Sequence, residues 1–353
     1  MKGSEAQLLV FLEGSNNRYV IPVYQRKYDW KINQCRQLFD DLKKLVAEGR
    51  KSHFFGIIVS QIVPGGSKIE FHIIDGQQRL TTVTLLLLAI CNLIRTGKVQ
   101  AIQSQLDEQI MERFIIDKWP GNDSRIKLRP VEKDRSALEK LVAGDEEEFE
   151  RASNLTVNYQ YFCDRILEEK IPVDSLYQGV GGLQIISITL DQEDDPQLIF
   201  ESLNSTGLAL TEGDKIRNYI LMGLSPEKQE TYYNGYWTKI EGCTGNDVSA
   251  FVRDYLSVKE QTTPAISNVY QAFKKYVETE KVSLDVLLED MKKYARIYQK
   301  LLSGKSGLGN VQLDDCMYRL RRLEITVTAP FFMEIFRLAQ EGKLTVDELA
   351  RIF

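Results

Sequence analysis

The stretch IIDGQQRLTTVT, Ile73 to Thr84, places a carboxylate, a glycine, two carboxamides and an arginine in consecutive positions from Asp75 to Arg79. Each residue type suits phosphate chemistry. Gly76 permits close backbone approach, and Arg79 offers a planar cation matched to phosphate oxygens. Gln77 and Gln78 can contact a base, a ribose or a further phosphate. Asp75 can hold Arg79, a ribose hydroxyl or a hydrated Mg²⁺. A helix beginning at Thr81 or Thr82 would add unpaired amides and the positive end of its dipole. A satisfied polar turn explains Asp75 and Gly76 as well, so by local physics the two readings stand level.

A second cluster lies upstream in YVIPVYQRKYDW, which sets Tyr24, Gln25, Arg26, Lys27, Tyr28 and Trp30 after Pro22. Proline disfavours an interior strand, so this is an edge or an extended arm. Exposed, its aromatics and cations would stack on bases and pair with phosphates. Packed, Tyr24, Tyr28 and Trp30 would cover the sheet edge and lead into the next helix.

Both clusters need elements to hold them. RYVIPVY, HFFGIIVSQIV and KIEFHIID read as strands, the last two joined by a turn at Pro64–Ser67. TTVTLLLLAICNLIR is too long for a strand and reads as a buried helix stopped by Gly97. RIKLRP and LQIISITLD read as strands returning to the same sheet. Asp195 before Pro196, and Thr211 with Asp214, mark two helix starts. Beyond Asp214 the pattern is helical, with aromatic faces that pack as a bundle core. LARIF ends within such a pattern, which points to a longer natural chain or a trimmed one.

Composition narrows the function. The 353 residues carry 43% hydrophobic content and a net charge of −5, so the chain folds around a core and has no global basic field for nucleic acid. The five cysteines are scattered without a CxxC pair, and no signal-peptide pattern opens the chain. A reduced, cytoplasmic protein without a membrane partner is expected. The two histidines, His53 and His72, both fall in the strand-rich part and read as structural. The C-terminal half therefore lacks the histidine of an HNH nuclease, a zincin or a Ser-His-Asp triad. GKS at Gly304–Ser306 lacks the P-loop's first glycine, Gln299 standing in its place, and reads as a loop after a helix. The acidic run GDEEEFERA reads as a solvated helix face.

IPVYQRKYDW followed by IIDGQQRLTT, with HFFGIIV between, resembles the N-terminal domain of GmrSD-type modification-dependent restriction endonucleases. IFESLNSTGLALTEGDKIRNYILM agrees, so the resemblance runs from Arg18 to Met222. It implies a ParB/sulfiredoxin-like α+β domain that binds and hydrolyses a nucleoside triphosphate with Mg²⁺, followed by an all-α helical domain. The expected boundaries are 1–212 and 213–353. The family's DGQQR signature falls on Asp75, Gly76, Gln77, Gln78 and Arg79, and its YQR element on Tyr24, Gln25 and Arg26.

The expected catalytic residues are Asp75, Gln78 and Arg79, with nucleotide held by Tyr24, Gln25, Arg26, Gly76, Gln77, Thr81 and Thr82. Asn204 and Arg217 are candidate additions, against which capping and surface roles compete. The only metal position is Mg²⁺ at Asp75. Some relatives sense glucosylated or phosphorothioated DNA in defence against phage. A nuclease module would come from a partner or from sequence beyond Phe353. The rival reading is a non-catalytic ParB-like module for DNA or protein interaction, using nucleotide only as a switch.

Overall fold

A helix that is apolar all round must sit inside the protein, and the helix after the polar corner does so. In the computed structural model, which describes residues 1–14, 16–65, 68–118, 125–191, 193–203, 210–323 and 327–353, every residue from Leu80 to Leu93 is buried. By length and composition this helix could cross a membrane, yet it is enclosed by protein. The chain divides into two compact units, Met1–Leu203 and Asn204–Phe353.

The first unit is mixed α/β. Its described strands are β1 (Lys2–Gln7), β2 (Asn17–Val20), β3 (His53–Gly65), β4 (Lys68–Asp75), β5 (Leu128–Arg129) and β6 (Leu183–Leu190). They lie in the order β1-β6-β3-β4-β2-β5. β3 and β4 form the expected antiparallel hairpin, with Gly65 opposite Lys68; Gly66 and Ser67 lie outside the described residues. β2 and β6 run parallel to their neighbours β4 and β3, and β1 closes the far edge antiparallel to β6.

Sequence patterning gives no strand at β1, because its residues are mostly exposed and polar; pairing with β6 alone makes it one. The expected strand at Arg125–Pro130 shrinks to two residues, since Pro130 has no N–H for the ladder and α5 (Glu132–Ala143) follows at once.

The helices α1 (Leu8–Leu12), α2 (Ile32–Ala47), α3 (Gln77–Arg95), α4 (Leu106–Ile110), α5, α6 (Asn154–Glu169), α7 (Val173–Gly181) and α8 (Pro196–Leu203) complete the unit. Leu80, Leu86 and Ile90 of α3 share a fully buried cluster with Phe39 and Leu42 of α2 and Phe162 of α6. On the sheet, Tyr19 stacks on Phe71 at 5.3 Å, which locks β2 beside β4. Asp195 caps α8 as expected, accepting from the Gln197 amide at 2.8 Å.

The described part of the second unit contains helices only, α9 (Glu212–Leu221), α10 (Pro226–Tyr232), α11 (Thr238–Cys243), α12 (Val248–Glu260), α13 (Val269–Glu280), α14 (Leu284–Ser303), α15 (Val311–Arg322), α16 (Ala329–Gln340) and α17 (Val346–Ile352). Trp237, Phe251, Tyr255, Phe273 and Phe336 form its buried aromatic core. Thr211 and Asp214 make the expected capping box. Gly304 ends α14 in the left-handed conformation, so GKS is a helix stop.

α3 begins at Gln77, four positions ahead of the expected start at Thr81. Gly76 caps it at φ +94°, and Leu80 N–H opens the helical ladder by donating to Gly76 O at 3.0 Å. The threonines sit inside the helix, Thr81 and Thr82 hydroxyls donating to the carbonyls of Gln77 and Gln78 at 2.8 Å each. A Cβ on Gly76 would lie 3.0 Å from Ile58 Cγ1 and 3.1 Å from Ile57 O. Gly76→Ala thus combines an unfavourable φ with a backbone clash, and should destabilise the protein by about 2 kcal/mol or more, read as a fall in the urea midpoint of the first unit. An unchanged midpoint would show that the junction tolerates a side chain.

Candidate functional site

Because α3 starts at Gln77, the amides ahead of its ladder belong to Gln77, Gln78 and Arg79. Thr81 and Thr82, expected to supply this end, do not: both are buried and their side chains are satisfied by the helix itself. The correction moves the positive helix terminus onto the carboxamide pair, directly after Asp75.

Arg79 leaves the first turn of α3 toward β3. Its Nη1 donates to Ile57 O at 3.0 Å and stands 3.7 Å from Asp75 Oδ2. Space for it comes from Gly56, which lies in a bulge of β3 at φ +128°, where a Cβ would fall 2.8 Å from Arg79 Nε. Gly56 escaped the sequence reading, although a glycine inside a strand pattern is itself a signal of a bulge or a close approach.

Asp75 ends β4 with its carboxyl about two-thirds shielded, the side chain being 31% exposed. Burial raises its pKa above the ordinary carboxylate value, opposed by the Arg79 guanidinium, the Gly76 N–H and Arg26. Among the described residues no group of three or more histidine, cysteine or acidic side chains is placed to hold a metal.

The upstream arm packs against this corner. Tyr24 and Tyr28 are buried at 4% exposure each, so the exposed base-stacking arm gives way to the packed alternative. Tyr28 OH lies 2.7 Å from Thr82 Oγ1 and accepts from Asn158 Nδ2 at 2.9 Å, while Tyr28 N–H donates to Asp134 Oδ2 at 2.5 Å. Asn158 also reaches Trp30 O, at 2.8 Å. Asn154, Asn158 and Asp134 escaped the sequence reading because they lie far along the chain, in α5 and α6, with no motif around them.

The two glutamines part company here. Gln78 accepts from the Asp29 and Trp30 amides at 2.8 and 3.1 Å and donates to Lys27 O at 3.2 Å. Its carboxamide is engaged at both ends with the arm, so the structure makes it a clamp where catalysis was expected. Gln77 turns to Gln25, donating Nε2 to Gln25 Oε1 at 3.0 Å, and Gln25 donates to Ile74 O at 2.8 Å. Gln25, expected at the nucleotide, is thereby 3% exposed and committed to this relay. Arg26 is partly exposed, with a buried Nε that has no partner among the described residues.

Of the remaining candidates, Asn204 lies outside the described residues. Arg217 belongs to the second unit, where its guanidinium binds Asp214 at 2.7 Å and Glu241 at 3.0 Å, an ion-pair role within the helical core. The structure thus brings together Asp75, Gly76, Gln77, Arg79, Gln25 and Arg26. They frame the end of a long buried helix with two cations, the amides ahead of its ladder and one carboxylate, an arrangement suited to a polyanion.

A family model described as GmrSD restriction endonuclease, N-terminal domain, matches residues 8–221. No curated protein matches the chain.

Two measurements check this geometry. Gln78→Leu should free Lys27–Trp30 from α3, costing about 1–3 kcal/mol and speeding hydrogen exchange at the Asp29 and Trp30 amides. Unaltered exchange there would remove the clamp. Folding raises the Asp75 pKa above its unfolded value of 3.8, so its share of stability is present below pH 3.8 and is lost as pH rises through the raised value. The urea midpoint of Asp75→Asn relative to the unmodified chain should therefore climb from acid toward neutral pH; a flat difference would contradict the shift.

Proposed function

Since the chain belongs to the family of GmrSD restriction endonuclease N-terminal domains, and so to the components of restriction systems that act against phage, we propose that it binds a nucleoside triphosphate at the α3 corner and hydrolyses it as the sensor or regulatory part of such a system. The observation that carries this reading is the Gly76 junction, which starts α3 at Gln77 and so sets the amides of Gln77, Gln78 and Arg79 ahead of the helical ladder, in the same turn as the guanidinium of Arg79. Those amides and Arg79 hold phosphate oxygens, and Arg26 approaches from the arm.

Mg²⁺ would be held by Asp75 together with the nucleotide's own phosphates, which fits a site with a single carboxylate and, among the described residues, no dedicated acidic cage. When bound it would offset phosphate charge. The protein's own part is positioning and charge stabilisation of a loose phosphoryl transition state, which calls for no histidine base. The likeness to ParB/sulfiredoxin domains, a role in reading modified DNA and a nuclease module supplied by a partner or a further segment belong to the same proposal.

Purified protein with Mg²⁺ and each of the four nucleoside triphosphates, with and without DNA, should release phosphate, and Arg79→Ala should lower that rate on the order of 10³-fold. Release no greater than in the Arg79→Ala control would leave a non-catalytic interaction module as the reading.

A further inference from the structure

The relay at the corner fixes which atom of Gln77 is left over. Ile74 O can only accept, so Gln25 must give it the amino group, at 2.8 Å. Gln25 therefore turns its oxygen to Gln77, which must answer with its own amino group, at 3.0 Å. What remains is Gln77 Oε1, a buried acceptor without a partner among the described residues, on a residue only 6% exposed. A buried acceptor calls for a hydrogen, and ionised phosphate oxygens have none to give. Gln77 is also the first helical residue, in the same turn as the amides proposed above to hold phosphate, which sets the missing donor beside the phosphates of that reading rather than at a distant sugar or base.

Resting on the triphosphatase reading above, we infer that Gln77 Oε1 accepts a hydrogen bond from the water that attacks the terminal phosphorus, with Gln25 as the positioning residue that fixes its amide. The water oxygen bonds to phosphorus as the bridging P–O bond breaks. The electron pair leaves on the β-phosphate oxygen, and the water's proton passes to an oxygen of the transferred phosphoryl group, giving the diphosphate and inorganic phosphate. The adjacent glutamines then divide the work, Gln78 holding the arm and Gln77 holding the nucleophile.

The test separates turnover from affinity in the full 353-residue chain. Gln77→Met keeps the length of the side chain and removes the acceptor. With the triphosphate that the unmodified chain turns over fastest, kcat should fall on the order of 100-fold while the Kd for its non-hydrolysable analogue stays within about threefold. Gln25→Met, which frees the Gln77 amide to rotate, should show the same split at smaller size, and it carries the test should Gln77→Met fail to fold. A kcat within about threefold of the unmodified chain would overturn the inference, and so would weakened analogue binding with turnover retained, which would assign the acceptor to a sugar or base. Absence of turnover in the unmodified chain with all four triphosphates removes the parent reading along with this one; turnover retained in Gln77→Met removes this one alone.

Discussion

The first unit depends on how the chain passes from β4 into α3. The backbone of Gly76 lies so close to β3 that a Cβ would meet Ile57 O at 3.1 Å, and its φ of +94° is open chiefly to glycine. This contact lets a helix buried from Leu80 to Leu93 start directly at the end of β4. A longer turn would draw the helix terminus away from the sheet and separate Arg79 from Ile57. The second glycine, Gly56, answers the first across the junction by clearing the path of the Arg79 guanidinium. Two backbone conformations on neighbouring strands thus set the position of one cation.

The arm is held by contacts from several elements. Gln78 takes its main chain, Tyr28 reaches between Thr82 of α3 and Asn158 of α6, and Asp134 of α5 accepts its amide. Burial raises the Asp134 carboxyl above its ordinary pKa, with the Tyr28 N–H opposing that shift. A buried polar network of this kind is costly when incomplete and specific when complete. Here it binds the arm to the helical layer, and so holds Gln25 and Arg26 at the corner.

Aromatic residues in polar company invited a binding role for the arm, yet Tyr24 and Tyr28 are core side chains. The helical unit shows the reverse economy of signal. Its aromatic faces read as core and are core, and the one nucleotide-like spelling, GKS, is a helix stop at Gly304. Arg217 illustrates how a charged residue in a family-like segment can be absorbed by local ion pairs, here with Asp214 and Glu241.

The sequence by itself determined what depends on neighbours along the chain. The β3–β4 hairpin, the long apolar helix, the caps at Asp195 and Thr211, and the grouping of Asp75, Gly76 and Arg79 at a strand-to-helix corner were all legible, because periodicity, capping and turn chemistry act over a few residues. Tertiary structure decided the rest. The helix start moved from Thr81 to Gln77 because backbone contact with β3 set the turn at Gly76. Edge strand β1 exists only through β6. Two identical neighbours, Gln77 and Gln78, took different tasks because successive helical positions differ by about 100° in direction, so one meets Gln25 and the other the Lys27–Trp30 main chain. That choice depends on which distant segments arrive at each face, and no local pattern encodes it.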